Sequence, residues 1–373
     1  MKIGLIVNPI AGMGGRVGLK GTDGQDILEQ AISKGAVPEA SLKTKKALTK
    51  LVSLGDDVEL VTYPLDMGEN PVKEAGLSPK VIEIEKSTLL GKTTPEDTVK
   101  GAQKLLEYGV DLLIFSGGDG TARNIYDAIG TKIPTIGIPA GVKIHSAVFG
   151  TSPDRAGELV LEYCKGNKVP VREREVMDID EKAFRAGRVS AELHGYLQVP
   201  EREGLVQSLK SSGGPGEGVA TTHIADHVIA YMKKDTYYLI GPGTTTRRIM
   251  ERLGLDYTLL GVDIVYNNEL ICKDAGEREI LDIILGKNAH IVVTIIGGQG
   301  YIFGRGNQQF SPSVLKEVKK RNITVIAPQE KLASLGGESL LIDTGDSDIN
   351  HYLSGYYRVV VGYEREIMYP AKG

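Results

Sequence analysis

An apolar run, Val110-Asp111-Leu112-Leu113-Ile114-Phe115, passes directly into Ser116-Gly117-Gly118-Asp119-Gly120-Thr121. The run is short and mostly apolar, as a strand buried on both faces must be, and the glycines that follow end it. Ala122–Ile129 then predicts a helix. Strand, glycine turn and helix in that order form one unit of a parallel sheet, because a parallel neighbour is reached only by a crossover. The theme recurs. Lys2–Val7, closed by Asn8-Pro9, and Val58–Tyr63, Lys80–Ile84 and Pro134–Ile138 read as further strands. Gln25–Ser33 and Glu39–Leu54 have helical spacing. Another helix is marked at both ends: Thr94 caps it, Pro95 suits its first position, Asp97 completes a capping box, and Gly109 stops it after Tyr108. These segments predict an α/β domain over residues 1–167, a Rossmann-like parallel sheet with helices on both faces.

Past Gly166 the pattern changes. Val169–Asp180 and Ala183–Val199 alternate apolar and polar residues, as half-exposed antiparallel strands do. Ser211–Gly218 reads as a surface loop, and helix and strand patterns resume from Val219. Residues 168–373 are therefore expected to form an α+β domain rich in antiparallel strands. A chain of 373 residues has room for two such cores.

Composition excludes several function classes. The net charge of −4 gives no general attraction to nucleic acid or anionic membrane. Two distant cysteines, Cys164 and Cys272, argue against a disulfide framework or a zinc site and suit a reducing cytoplasm. The apolar start at Lys2–Val7 is too short for a signal-peptide core, and no apolar run reaches the length of a membrane span. Gly12-Met13-Gly14-Gly15-Arg16 lacks the Gly-Lys-Ser/Thr ending of a P-loop, and no Gly-x-Ser-x-Gly elbow is present.

The chemistry is expected at glycine turns that follow strands. Ligands of an open parallel sheet collect outside the carboxyl ends of its strands. There Gly117, Gly118 and Gly120 let backbone approach a phosphate, and the free amides of a helix start favour anions. Asp119 repels phosphate, so it fits a site that binds Mg²⁺ or takes a proton from an attacking hydroxyl. The same residues also make an ordinary tight turn with the carboxylate capping the helix. After the next strand, Lys143 can neutralise phosphate charge and His145 can hydrogen-bond a ribose or phosphate. Gly241-Pro242-Gly243-Thr244-Thr245-Thr246 opens another helix with glycine and hydroxyls, which suits a phosphate chain and equally a plain threonine cap. Gly297-Gly298-Gln299-Gly300, with Arg305 and Asn307 nearby, is a similar candidate. His223 and His227 have metal-ligand spacing, but no third ligand accompanies them.

Gly117-Gly118-Asp119-Gly120-Thr121 resembles the GGDGT motif shared by NAD kinases, diacylglycerol kinases and sphingosine kinases, and Asn8-Pro9 resembles the Asn-Pro that opens them. Pro139–Ser146 and Gly241–Thr245 look like a prokaryotic ATP-NAD kinase-like branch that includes the acetoin-catabolism X protein. The resemblance implies a Mg²⁺-dependent NAD kinase that uses ATP or polyphosphate to phosphorylate the 2′-hydroxyl of NAD. Asp119 would orient or deprotonate that hydroxyl. Asn8, Gly117, Gly118, Gly120, Thr121, Lys143, His145, Gly243, Thr244 and Thr245 would bind nucleotide or phosphate. No dedicated metal ligand is implied, the ion being held mainly by phosphates. A cytoplasmic homo-oligomer is the further expectation. Two features depart from the pattern. The Asn-Glu pair expected soon after GGDGT occurs only as Asn268-Glu269, in a segment whose composition reads as a hairpin turn, and the Gly-Thr-x-Asn-Asp of lipid kinases is replaced by Pro139–His145. The alternatives are a lipid or other small-alcohol kinase, and a nucleotide-binding accessory protein without turnover.

Overall fold

The computed structural model describes residues 1–19, 25–82, 93–141, 144–179, 191–202, 204–206, 217–296 and 300–373. Two compact units emerge, one of Met1–Met13 with Gly21–Leu209, the other of Gly14–Lys20 with Lys210–Gly373. The change of character expected at residue 167 and this division after Leu209 differ by one ribbon, which packs with the first unit.

In the first unit the order is β1 (Lys2–Val7), α1 (Gln25–Ser33), α2 (Ala40–Leu48), β2 (Glu59–Thr62), α3 (Glu69–Glu74) and β3 (Pro79–Val81). Then come α4 (Pro95–Tyr108), β4 (Leu112–Gly117), α5 (Asp119–Ile129), β5 (Thr135–Pro139) and α6 (Pro153–Cys164). The five strands form a wholly parallel sheet in the order β3-β2-β1-β4-β5. Each face carries its own core. Leu5, Val7 and Ile114 pack with α2 and α6, whereas Ile6, Leu113 and Phe115 pack with α4 and α5. The ribbon β6 (Val171–Ile179) and β7 (Ala191–Pro200) is antiparallel, as expected, and adds Val176, Leu197 and Val199 to the second core.

Local chemistry explains the boundaries. Asp97 accepts the Thr94 backbone amide at 2.8 Å and completes the box before α4, while Gly109 ends it at φ 79°. The helix expected over Glu39–Leu54 leaves α-geometry at Leu48 and continues as a 3₁₀ segment, Thr49–Asp57, interrupted at Gly55.

The second unit contains α7 (Glu217–Ala230), β8 (Tyr237–Ile240), α8 (Thr244–Leu253), β9 (Asp263–Tyr266), β10 (Glu269–Cys272) and α9 (Glu277–Ile284). It continues through β11 (Ala289–Thr294), β12 (Tyr301–Phe303), α10 (Pro312–Val318), β13 (Ile323–Ile326), α11 (Gln329–Ala333) and β14 (Leu340–Ile342). The last elements are α12 (Ser347–Leu353), β15 (Gly355–Gly362) and β16 (Arg365–Lys372). Their nine-stranded sheet is mixed, in the order β10-β9-β8-β11-β13-β15-β16-β14-β12. The pairs β10–β9, β9–β8 and β15–β16 are antiparallel, and a parallel run β8-β11-β13-β15 lies between them. Among the described residues no helix is long and apolar enough to cross a membrane.

Candidate functional site

The strand order of the first sheet reverses between β1 and β4, and ligands of open α/β sheets bind at such a switch point. Val7 pairs with Ser116 there, so Asn8 and Gly117 leave their strands side by side. Asn8 Nδ2 donates to Thr121 Oγ1 at 3.1 Å, and Asn8 Oδ1 accepts from the Ile10 amide at 3.3 Å. Gly117 is required by this packing: a Cβ on it would lie 2.2 Å from Thr121 Oγ1. Gly118 and Gly141 approach so closely that a Cβ on Gly141 would be 2.7 Å from the Gly118 Cα. Their contact is fixed by the Ala140 and Gly141 amides, both donating to the Gly117 carbonyl at 2.9 and 3.0 Å.

Asp119 is the first residue of α5, three positions before the expected helix start. A carboxylate at that position meets the positive end of the helix dipole. It is 8% exposed, and its oxygens face the segment after β5. Oδ2 accepts the His145 amide at 2.8 Å and Oδ1 the Ser146 amide at 2.9 Å; His145 Nδ1 stands 3.4 Å from Oδ2. Ser146, fully buried, passes the connection on, because its Oγ accepts the Met177 amide of β6 at 2.9 Å. The Ala147 amide adds a bond to the Glu175 carbonyl. The carboxylate is therefore both a structural clamp and the acidic group nearest the glycine turn.

In the second unit, Gly243 precedes α8 at φ 136°, where a side chain would meet Thr294. Thr244 is exposed, Thr245 and Thr246 are buried, and Thr246 Oγ1 donates to the Gly243 carbonyl at 3.0 Å. Lys331 Nζ donates to Thr245 Oγ1 at 3.0 Å, bringing a cation to the helix start. Arg247 and Arg248 instead turn to Glu251, one turn further on.

A sequence model of the ATP-NAD kinase N-terminal domain matches residues 3–167, and one of the ATP-NAD kinase C-terminal domain matches residues 233–371. The chain belongs to the ATP-NAD kinase family. The switch-point glycine turn lies inside the first matched segment. Among solved structures, a protein of Bacillus anthracis strain Sterne assigned as a diacylglycerol kinase is 20% identical, with 48% of this chain and 45% of that chain covered and a TM-score of 0.25. A second diacylglycerol kinase structure from the same organism is 15% identical, covering 52% and 60% at a TM-score of 0.23. The chain thus spans about half the length of the solved structures it matches. No curated protein matches it.

The fold brings together Asn8, Gly117, Gly118, Asp119, Thr121 and His145, all in the first unit. Gly120 lies within the first turn of α5, half-buried. Lys143 lies outside the described residues, as do Gly297, Gly298 and Gln299. Gly243, Thr244 and Thr245 occupy the start of α8 as expected. Asn307 staples its own loop, accepting the Gly304 amide and donating to the Ile302 carbonyl, and Arg305 lies over the Tyr301 ring. Asn267 and Asn268 have φ 48° and 66°, the hairpin turn between β9 and β10. His227 accepts the Glu364 amide at 3.0 Å, and among the described residues no cluster of three metal-ligating side chains exists. Ser146 is the residue that sequence reasoning missed as a participant; a serine in a loop carries no spacing signal.

Proposed function

We propose that this kinase phosphorylates the 2′-hydroxyl of NAD to give NADP, with ATP or polyphosphate as donor and Mg²⁺ required, in the cytoplasm. The reading is carried by Asp119, placed beside the glycine turn at the sheet's switch point and held by two backbone amides. Those two bonds leave carboxylate lone pairs that can accept a substrate hydroxyl, so Asp119 would orient the acceptor oxygen. Amides at the start of α5 would face the phosphates. Bound Mg²⁺ would neutralise phosphate charge; Asp119 offers oxygen atoms of the hard kind the ion takes, with phosphates and water completing its shell. Catalysis would then rest on positioning and charge neutralisation.

The same carboxylate supports a second reading, a nucleotide-binding protein without turnover, since each of its oxygens already accepts an amide. The test incubates the protein with NAD, Mg²⁺ and ATP or polyphosphate and quantifies NADP by chromatography. A parallel reaction offers diacylglycerol vesicles. NADP formation supports the proposal. Nucleotide binding with no NADP refutes it in favour of the second reading, and lipid phosphorylation alone makes the protein a lipid kinase.

A further inference from the structure

One face of the sheet in the second unit is covered unevenly. Ile240, Val292, Ile326 and Val360 lie with α7 and α8 in one apolar cluster. Side chains alternate along a strand, so the residues two positions earlier, Tyr238, His290, Thr324 and Arg358, share that face. They line a cavity of about 1190 Å³. It opens near the amino ends of β8, β11 and β13, whereas the Gly241–Thr245 turn follows the carboxyl end of β8. The cavity is therefore separate from that turn.

Its lining departs from the rest of the chain in charge. Lys233, Lys319, Lys320, Arg321 and Arg358 outweigh Glu364 and Glu366, although the whole chain has a net charge of −4. Lys320 is occupied by the Ser354 carbonyl and the Tyr357 ring. Among the described residues no ion pair engages Arg321 or Arg358. The lining is also aromatic. The Tyr238 and His290 rings stand 5.3 Å apart, and His290 is held by Thr324 Oγ1 at 2.8 Å. Tyr356 and Tyr352 are 68% and 49% exposed at the same cavity. Guanidinium groups suit phosphate, and tyrosine faces suit a planar base.

We propose that this cavity binds a nucleotide, its phosphates on Arg321 and Arg358 and its base against the tyrosines. The site is distinct from the Gly117–Thr121 turn, and its occupancy does not depend on which acceptor the kinase phosphorylates. The test photolabels the full chain with 8-azido-ADP and maps the modified peptides. Label is expected on the segment containing Tyr352 and Tyr356, displaced by ADP and hardly by adenosine. Arg321→Glu and Arg358→Glu should each weaken labelling about tenfold or more, the scale of one charge-assisted phosphate contact. Tyr356→Ser, at a position 68% exposed, should weaken it as well. Asp119→Asn should leave it intact, which separates this site from the one proposed for phosphotransfer. Absence of label from that segment, equal displacement by adenosine, or unchanged labelling in Arg358→Glu overturns the proposal. So does protection of residues 352–358 from hydrogen exchange that rises with protein concentration and excludes the label, because a second copy would then be the occupant.

Discussion

Replacing Asp119 by asparagine tests whether the motif carboxylate is a clamp as well as a reacting group. The two side chains have the same shape, so packing is preserved and only the bonding changes. Both amides that Asp119 accepts, from His145 and Ser146, belong to a segment packed against β5 and β6. An asparagine keeps one acceptor and presents an NH₂ to the other amide. One charge-assisted hydrogen bond is lost and a buried N–H is left without an acceptor, which together cost about 3 kcal/mol. With a denaturant slope of about 2 kcal/mol/M in urea, the first unit should unfold roughly 1.5 M earlier. Hydrogen exchange gives the local readout: the His145 and Ser146 amides should exchange faster than those of β4. If Asp119→Asn unfolds at the wild-type urea concentration with both amides still protected, the clamp does not exist. Activity alone cannot decide, because loss of turnover in Asp119→Ala would follow from either role.

Three further outcomes are expected. Gly117→Ala forces a Cβ to within 2.4 Å of the Thr121 Cβ, so it should cost about 2 kcal/mol in urea unfolding; wild-type stability would refute the packing of the turn. Burial, with a smaller push from Lys233, lowers the His290 pKa from 6.5 to about 4. Between those values the unfolded chain binds the extra proton, so stability is full above pH 6.5 and falls by about 3 kcal/mol as the pH drops to 4. His290→Gln should flatten that limb of a pH series of urea midpoints, and an unchanged slope would show that His290 is not its source. Burial pushes the Cys164 thiol up to about 11, so iodoacetamide at pH 8 should alkylate it far more slowly in the folded protein than in urea; equal rates would contradict its burial.

The fold was most legible where several local signals agreed. Thr244–Leu253 forms a helix because glycine, hydroxyls and helical spacing coincide, and α4 begins and ends at its cap residues. Ser152-Pro153 repeats the Thr94-Pro95 signal, and α6 begins there. By contrast, β12 and β14 are three residues each and α11 five, too short for any periodicity. At the candidate site, the glycine turn, Asp119 and Asn8 could be read because residue type and strand ends coincide. The direction of the Asp119 carboxylate could not. It depends on a segment 26 residues further along, which only tertiary packing brings to the start of α5.

That dependence extends to a stretch the family models leave unmatched. Residues 168–232 lie between the two matched segments, and the β6–β7 ribbon is within them. Asp178 of β6 pairs with Arg123 of α5, and His194 of β7 binds Asp127 on the same helix at 2.8 Å. Gly195 sits so close to the Tyr126 ring that a Cβ would be 2.3 Å from it. The ribbon thus grips the helix that begins with Asp119, and through Ser146 it also holds the segment that Asp119 clamps. Two sides of the same carboxylate are referenced to one ribbon, so a shift of β6 along its axis would move α5 and the His145 loop together and preserve their contact. Cutting only one link would not. Ser146→Ala removes the Met177 bond while leaving the Ser146 amide on Asp119, and the expected outcome is faster exchange at Met177 with little change at Ser146 itself. Equal acceleration at both amides would mean that ribbon and loop move as one body through packing alone, and that the hydroxyl is not the coupling element.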